Sequence, residues 1–243
     1  MNMRLARTAC QDCPIRHRAV CAECDSDEFA ILEIIKTYVT VPKGGTIAAA
    51  GEPLEHLSSI VSGCATISKT LADGRRQMVG LLLPSDFIGR PGRDTITFDI
   101  EAVSDVTLCR FERRSFEGLV GTSPNVSRRL LKMTLDELDA ARDWQVLLGR
   151  LTARERIAHF LLSLVRREAT AAGTALTDGP VSLTLPISRE MIADFLGLTI
   201  ETTSRQFTAL RKDGLIETPS ARQIDIPDVA NLIAETMDDD SLI

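Results

Sequence analysis

The sequence has no apolar stretch of the roughly 18 uncharged residues that a membrane span needs, and its mean hydropathy is only +0.04. A transmembrane chain is therefore excluded. The opening MNMRLARTAC carries arginines but runs into no apolar stretch of signal type, so the expectation is a soluble, cytoplasmic protein. Histidine is scarce: His17, His56 and His159 stand far apart, with no Ser–His–Asp set or paired acid–base site around them, so the chain does not read as an enzyme. There is no internal repeat, and the run MDDD near the end is the only low-complexity tract. The chain also lacks a basic excess, with 28 Lys+Arg against 34 Asp+Glu and a net charge of −6 over 243 residues. Taken whole, that balance argues against a nucleic-acid partner, but charge is seldom spread evenly along a chain.

Cysteine is what the chain does have. Four of its six cysteines, Cys10, Cys13, Cys21 and Cys24, fall within the fifteen residues CQDCPIRHRAVCAEC, while Cys64 and Cys109 stand alone. In a reducing cytoplasm such clustering points to metal or redox chemistry rather than to disulfides. A Cys-x2-Cys pair lets one short turn aim two soft sulfurs at one site. Spacing leaves two metal readings open. The four arm cysteines could form a closed zinc knuckle, or three of them could join Cys109 around an iron–sulfur cluster, with Pro14 after Cys13 echoing ferredoxin-type loops. A third reading has no metal at all. Cys64, just after Gly63, reads as a small buried hydrophobe.

Periodicity divides the rest. From about Asp27 to Tyr38, Ile31, Ile34, Ile35 and Tyr38 follow the spacing of one helix face and predict a short packing helix. From Val39 to about Phe116 the period falls to two, in pieces such as HLSSIVSG, CATISKTL, RQMVGLLL and DVTLCRF, with turn signals at Gly44-Gly45, Gly51, Gly63, Asp73-Gly74 and Gly89; short strands so spaced predict a barrel or jelly roll. A helix without Gly or Pro is predicted from about Val126 to Leu148. Its Leu131, Leu135, Leu138, Ala141, Gln145 and Leu148 make one narrow, near-heptad stripe, flanked by Asp136, Glu137, Asp139 and Arg142, which fits a dimer seam better than packing on its own barrel.

After Gly149 a second helix with apolar Ile157, Phe160, Leu161 and Leu164 leads to a strand (VSLTL), a helix (SREMIADFL), a turn, a helix (TIETTSRQFTALRKDG) and a small hairpin (LIETPSARQIDIP). That order predicts a winged helix-turn-helix. Small Ala193 suits the helix crossing, Gly197 the turn, and Ile192, Leu196 and Leu198 the interior, while Thr199 can cap the second helix. Thr203 takes an inward position usually given to Val or Ile. Glu201, Ser204, Arg205 and Thr208 share an exposed face. Arg can grip guanine through two hydrogen bonds and Glu can accept from cytosine, so Glu201 and Arg205 can read neighbouring base pairs, each contact discriminating by ~1–3 kcal/mol. A plain i,i+4 surface pair would contribute only about 0.3–0.5 kcal/mol. The acidity also proves local. Residues 225–243 hold Asp225, Asp228, Glu235, Asp238, Asp239 and Asp240 and no Lys or Arg; without them the chain balances at 28 and 28. Arg189, Arg205, Arg211, Lys212 and Arg222 surround the motif and are available for phosphates, with a limited non-specific term.

The order of parts, Cys-rich arm, glycine-punctuated barrel, long helix and winged helix-turn-helix, resembles the CRP–FNR superfamily of bacterial transcription regulators over nearly the whole chain. The arm CQDCPIRHRAVC, the barrel run DVTLCRF and the recognition run GLTIETTSRQ resemble its FNR branch, and LLLPSDFIGRPGR and MTLDELDAARDW are similar to FnrL proteins. The resemblance implies an α+β chain with an arm at 1–25, a cyclic-nucleotide-binding-like barrel at 26–120, a dimerisation helix at 121–150 and a DNA-binding domain at 151–243. It further implies a [4Fe–4S] cluster on Cys10, Cys13, Cys21 and Cys109, with Cys24 as an alternate, and so favours iron–sulfur over zinc. Glu201, Ser204 and Arg205 would read a TTGAT-N4-ATCAA palindrome as a homodimer, with Ile200 against a thymine methyl and RNA polymerase as partner. Cyclic-nucleotide binders of the superfamily follow Phe-Ile-Gly with a ribose-binding Glu and then an Arg-Ser pair. Here FIGRPGRDTITFDIEAV has neither, though Arg90 and Arg93 are available cations, so no cyclic nucleotide is expected. The other functional class, a redox or electron-transfer protein, leaves the Glu201/Arg205 face without a role.

Overall fold

The computed structural model describes residues 9–176 and 178–236; Asp238, Asp239 and Asp240 lie outside the described residues. The chain forms two compact units, Met1–Asp136 and Glu137–Ile243.

In the first unit an arm with a 3-10 turn at Cys10–Asp12 leads to α1 (Ser26–Ile35). Asp25 and Glu28 close a capping box at its start, which satisfies backbone donors that the first turn leaves open. The helix departs from the predicted face. It ends at Ile35, and Tyr38 lies in β1 (Lys36–Val41), because the β-branched run after Ile35 favours extended backbone. Ile31 and Ile34 are 43% and 83% exposed, while Glu28 and Leu32 are the buried residues. Glu28 is accommodated by accepting from Ser123 Oγ, from Asn125 Nδ2 at 3.1 Å and from the Asp25 N–H at 2.9 Å.

The strands β2 (Thr46–Ala48), β3 (His56–Ser62), β4 (Ala65–Thr70), β5 (Arg76–Leu82), β6 (Phe87–Ile88), β7 (Asp99–Ala102) and β8 (Val106–Glu112) complete two antiparallel sheets, ordered β1-β8-β3-β6 and β2-β7-β4-β5. Ile60, Ile88, Val106 and Leu108 from one sheet meet Ala65, Leu82, Ile100 and Ala102 from the other in the core between them. The first sheet is buried on its outer face as well, where Leu57, Val61, Cys109 and Phe111 pack with arm residues Ile15, Ala19 and Val20 and with helical Leu32, Phe116, Leu119 and Val126. That double burial explains why VTLCRF reads as a nearly unbroken apolar run. At Gly63, φ is +88° and a Cβ would stand 2.2 Å from the Asp105 carbonyl, so only glycine fits the β3–β4 turn.

The period-two reading ran too far, since α2 (Arg113–Thr122) starts before Phe116, with Glu112 accepting from the N–H groups of Arg114 and Ser115. The long helix α3 (Pro124–Arg150) has 27 residues, about 40 Å at 1.5 Å each. Pro124 stands in the first turn, where its missing N–H costs nothing.

The second unit holds α4 (Ala153–Ala172), β9 (Val181–Thr184), α5 (Arg189–Leu196), α6 (Ile200–Lys212), β10 (Gln223–Ile226) and α7 (Val229–Glu235). Ile157, Phe160, Leu161 and Leu164 are buried along α4. The predicted hairpin is reduced to one strand: β10 pairs with β9, and Glu217 adds a single bridge to Asp225. Helix α7 was not anticipated, and it turns part of the acidic segment into structure. Asp228 caps α7, and Glu235 accepts from Arg154 Nη2 at 3.0 Å.

Candidate DNA-reading helix and cysteine site

The first sheet carries Cys109 in the middle of β8, directly opposite Tyr38 on β1 and Ser59 on β3. Residues opposed in an antiparallel ladder share a face, so all three side chains lie on the outer side against the arm. Ile15, Ala19 and Val20, each at most 3% exposed, press the arm onto that face, and Cys10, Cys13, Cys21 and Cys24 pack against the same cluster. The structure thus brings the arm cysteines to Cys109, and leaves Cys64 apart in the β3–β4 turn, buried as expected.

Electrostatics reports the same proximity. Burial pushes the Cys109 thiol well above its ordinary range, and the next contributions come from Cys13, Cys10 and Cys21. Burial first, then Cys13, raises Cys21 to about 11. Cys24 rises to about 12, first through burial and then through Cys21, Glu28, Asp25 and Cys10. Thiols so raised are protonated at neutral pH, and any metal that binds must displace those protons.

Around Cys10 the packing is polar. Glu33 Oε2 accepts from the Cys10 N–H at 2.8 Å, Glu33 Oε1 lies 2.8 Å from Lys36 Nζ, and Lys36 Nζ donates to Cys10 Sγ at 3.4 Å. Burial raises Cys10 to about 11, Glu33 adds to the rise and Lys36 opposes it. Nothing in the sequence marks Glu33, Lys36, Tyr38 or Ser59 as neighbours of the cysteines: Tyr38 and Ser59 reach Cys109 through strand pairing over tens of residues, and Glu33 and Lys36 reach Cys10 where the arm returns to the end of α1.

The residues present fit an iron–sulfur group. The donors are soft sulfurs, and Ser59, 1% exposed beside Cys109, has an Oγ with no hydrogen-bond partner, a donor that a thiolate would satisfy. Among the described residues no three or more Cys, His, Asp or Glu side chains close on a single metal ion. The arm is also tied to α3: Arg129 donates to the Arg18 carbonyl and, at 3.2 Å, to the Ala19 carbonyl, and Arg128 pairs with Glu23 at 3.2 Å.

On α3, Leu131, Leu135 and Leu138 are 60%, 50% and 44% exposed. Ala141 and Gln145 are exposed too, whereas Leu148 is half-buried. Among the described residues nothing covers the Leu131, Leu135 and Leu138 side chains fully.

In the second unit, Ser188 and Thr199 cap α5 and α6 by accepting from the N–H groups of Met191 and Thr202, each at 3.2 Å. Gly197 sits at φ +62°, where the turn closes with Leu198 N–H on the Ala193 carbonyl; the left-handed backbone there is what glycine permits. Ile192, Ala193, Leu196, Phe207 and Leu210 are buried, and so is Thr203. Glu201, Ser204, Arg205 and Thr208 are exposed together, with Ile200 39% exposed at the helix start. Arg205 Nη2 reaches Thr202 Oγ1 at 3.4 Å. The Glu201 carboxyl is held below its usual range first by its own backbone N–H and then by Thr199, with Arg205 a lesser influence. Arg189 differs from the rest. Its guanidinium stacks 3.3 Å from the centre of the Phe207 ring, and burial lowers its pKa to about 10, so this cation is stacked within the domain instead of standing on the exposed face.

A two-sheet barrel followed by a long helix and a capped helix-turn-helix defines a DNA-binding transcription regulator. The comparisons agree: the cyclic nucleotide-binding domain profile matches residues 38–123, and the Crp-like helix-turn-helix domain profile matches residues 155–235. The chain is 52% identical to the transcriptional activator protein FnrL of Cereibacter sphaeroides over 95% of its own length and 92% of that protein's. It is 38% identical to the nitrogen fixation regulation protein FixK of Bradyrhizobium diazoefficiens over 85% of each. The solved structure of FixK2 from Bradyrhizobium japonicum superposes with a TM-score of 0.73 at 36% identity, covering 82% of this chain and 96% of that one. The chain belongs to the CRP–FNR family and is a transcriptional activator of its FNR/FixK group, not an enzyme. Among the described residues no helix is long and apolar enough to cross a membrane.

Proposed function

We propose that this activator is oxygen-responsive, and that its homodimer binds a TTGAT-N4-ATCAA-type palindrome while a [4Fe–4S] cluster on Cys10, Cys13, Cys21 and Cys109 is intact. The observation that carries this reading is the convergence of Cys10, Cys13 and Cys21 on Cys109, across a face that the arm shares with the root of α3. When bound, the group supplies an oxidant-labile cross-link between residues nearly a hundred positions apart, which restricts the chain in the way any long loop closure does. The chain's own residues carry that restraint onward. Ile15, Ala19 and Val20 seat the arm, Arg128 and Arg129 hold it to α3, and the Leu131–Leu138 stripe follows along the same helix. A hundredfold shift in dimer population needs only about 2.7 kcal/mol of differential stabilisation.

At the other end, Glu201, Ser204 and Arg205 read base edges with Ile200 beside them, and the two recognition helices of a dimer meet half-sites about one DNA turn apart. The activator works with RNA polymerase in the cytoplasm and takes no cyclic nucleotide. Arg93 is engaged with Thr97 Oγ1 at 2.9 Å, and nothing in FIGRPGR replaces the missing ribose and phosphate partners.

The test is anaerobic purification with iron and sulfide analysis, followed by absorbance during air exposure. The expected result is about four iron and four sulfide per chain, a brown colour that bleaches in air, loss of the cluster in Cys109→Ala and its retention in Cys24→Ala. Zinc in place of iron, or a cluster retained by Cys109→Ala, overturns the proposal.

A further inference from the structure

The buried ammonium of Lys36 is the most unusual charge near the cysteines. Its side chain is 7% exposed, and its Nζ lies 3.4 Å from Cys10 Sγ and 2.8 Å from Glu33 Oε1. Resting on the iron–sulfur reading above, we infer that Lys36 is a positioning residue that sets how readily the cluster is oxidised, by holding a positive charge against the Cys10 sulfur.

The argument is one of charge. Four thiols are neutral, but four thiolates around a 2+ core make a dianion, and a dianion in a mostly apolar pocket needs compensation. The cations that act on the thiols are Lys36, felt at both Cys10 and Cys109, and Arg16 and Arg129, felt at Cys21. Arg16 stacks on Phe29, and Arg129 is committed to arm carbonyls. Of the three, Lys36 is the one that donates to a cysteine sulfur, at 3.4 Å. Glu33 fixes it there, one carboxylate oxygen on the ammonium and the other on the Cys10 N–H. Both ends of the pair therefore lie against Cys10, the ammonium favouring a thiolate there and the carboxylate opposing it.

A cluster held by four thiolates would pass from 2− to 1− on giving one electron to dioxygen, which would leave as superoxide. A cation fixed beside the thiolate favours the more negative state and resists this step; hydrogen bonds and net charge are known levers on such potentials. Removing the cation speeds oxidation, and removing the opposing carboxylate slows it.

Parent, Lys36→Met, Lys36→Arg and Glu33→Gln are purified without oxygen, their iron and sulfide measured, and bleaching followed at a fixed dioxygen concentration beside the midpoint potential. Lys36→Met is expected to bleach several-fold faster at a lower potential, Lys36→Arg to match the parent, and Glu33→Gln to bleach several-fold slower at a higher potential. Equal rates across the series, or Lys36→Met and Glu33→Gln both bleaching faster, mark Lys36 and Glu33 as structural only and overturn the inference. If Lys36→Met takes up no iron, Glu33→Gln decides the matter alone. A parent without iron and sulfide instead removes the reading on which the inference rests.

Discussion

Thr203 shows how a single atom can work against its surroundings. It lies inside the helix-turn-helix at 0% exposure, and its Oγ1 has no hydrogen-bond partner. A buried hydroxyl without a partner costs about 1–3 kcal/mol, and an apolar group of the same shape removes that cost. Thr203→Val is therefore expected to stabilise the protein by about 1 kcal/mol in urea denaturation, with unchanged slope and unchanged DNA affinity, since the side chain points away from Glu201 and Arg205. A loss of stability would mean the hydroxyl has a partner in solution. The sequence exposed this position, because helical spacing alone decides which residues face inward. It could not expose Lys36, Glu33, Tyr38 or Ser59 as neighbours of the cysteines. Tyr38 and Ser59 are placed by the β1-β8-β3 ladder, and Glu33 and Lys36 by the return of the arm onto the end of α1, and no local pattern connects either set to the cysteines.

Between elements, the arm and α3 make the contact that matters most to the proposed switch. Arg129 caps the helical turn of residues 15–19 through the Arg18 and Ala19 carbonyls, just before Cys21, and on its own helix stands two residues before Leu131. Charge-assisted hydrogen bonds of this kind contribute about 1.5–3 kcal/mol each. Arg129→Ala is expected to raise amide hydrogen exchange across residues 13–24 by at least tenfold while β3 and β8 keep their protection. Unchanged protection in the arm would mean that Ile15, Ala19 and Val20 hold it unaided. At this scale the sequence was legible wherever one period ran long enough, as in α3, α4 and the barrel strands. It failed at junctions, where cap chemistry decides: Glu112 starts a helix inside what reads as strand, and α1 yields to β1 before Tyr38.

For the molecule as a whole, charge and the α3 stripe bear on the same question. The acidic segment that seems to oppose DNA binding is partly structural, with Asp228 capping α7 and Glu235 paired to Arg154. The near-neutral remainder gives a small non-specific electrostatic term, so affinity has to come from base contacts multiplied by dimerisation. The stripe is where two chains would meet, since Leu131, Leu135 and Leu138 are at least 44% exposed on a helix whose flanks are charged. Leu138→Asp places a carboxylate on each side of that seam, where two like charges without partners must lose water together. On the single chain the change is benign, because Leu138 lies on the surface and Asp is tolerated in a long helix. The expected outcome is a monomer by sedimentation equilibrium with the parent's circular-dichroism spectrum, and at least a tenfold weaker affinity for the proposed palindrome, about 1.4 kcal/mol. The salt dependence of the remaining binding should also flatten, as one domain in place of two contacts the phosphates. A variant that stays dimeric would move the seam off this stripe and onto other exposed apolar residues, of which Ile31 and Ile34 on α1 are the first to test.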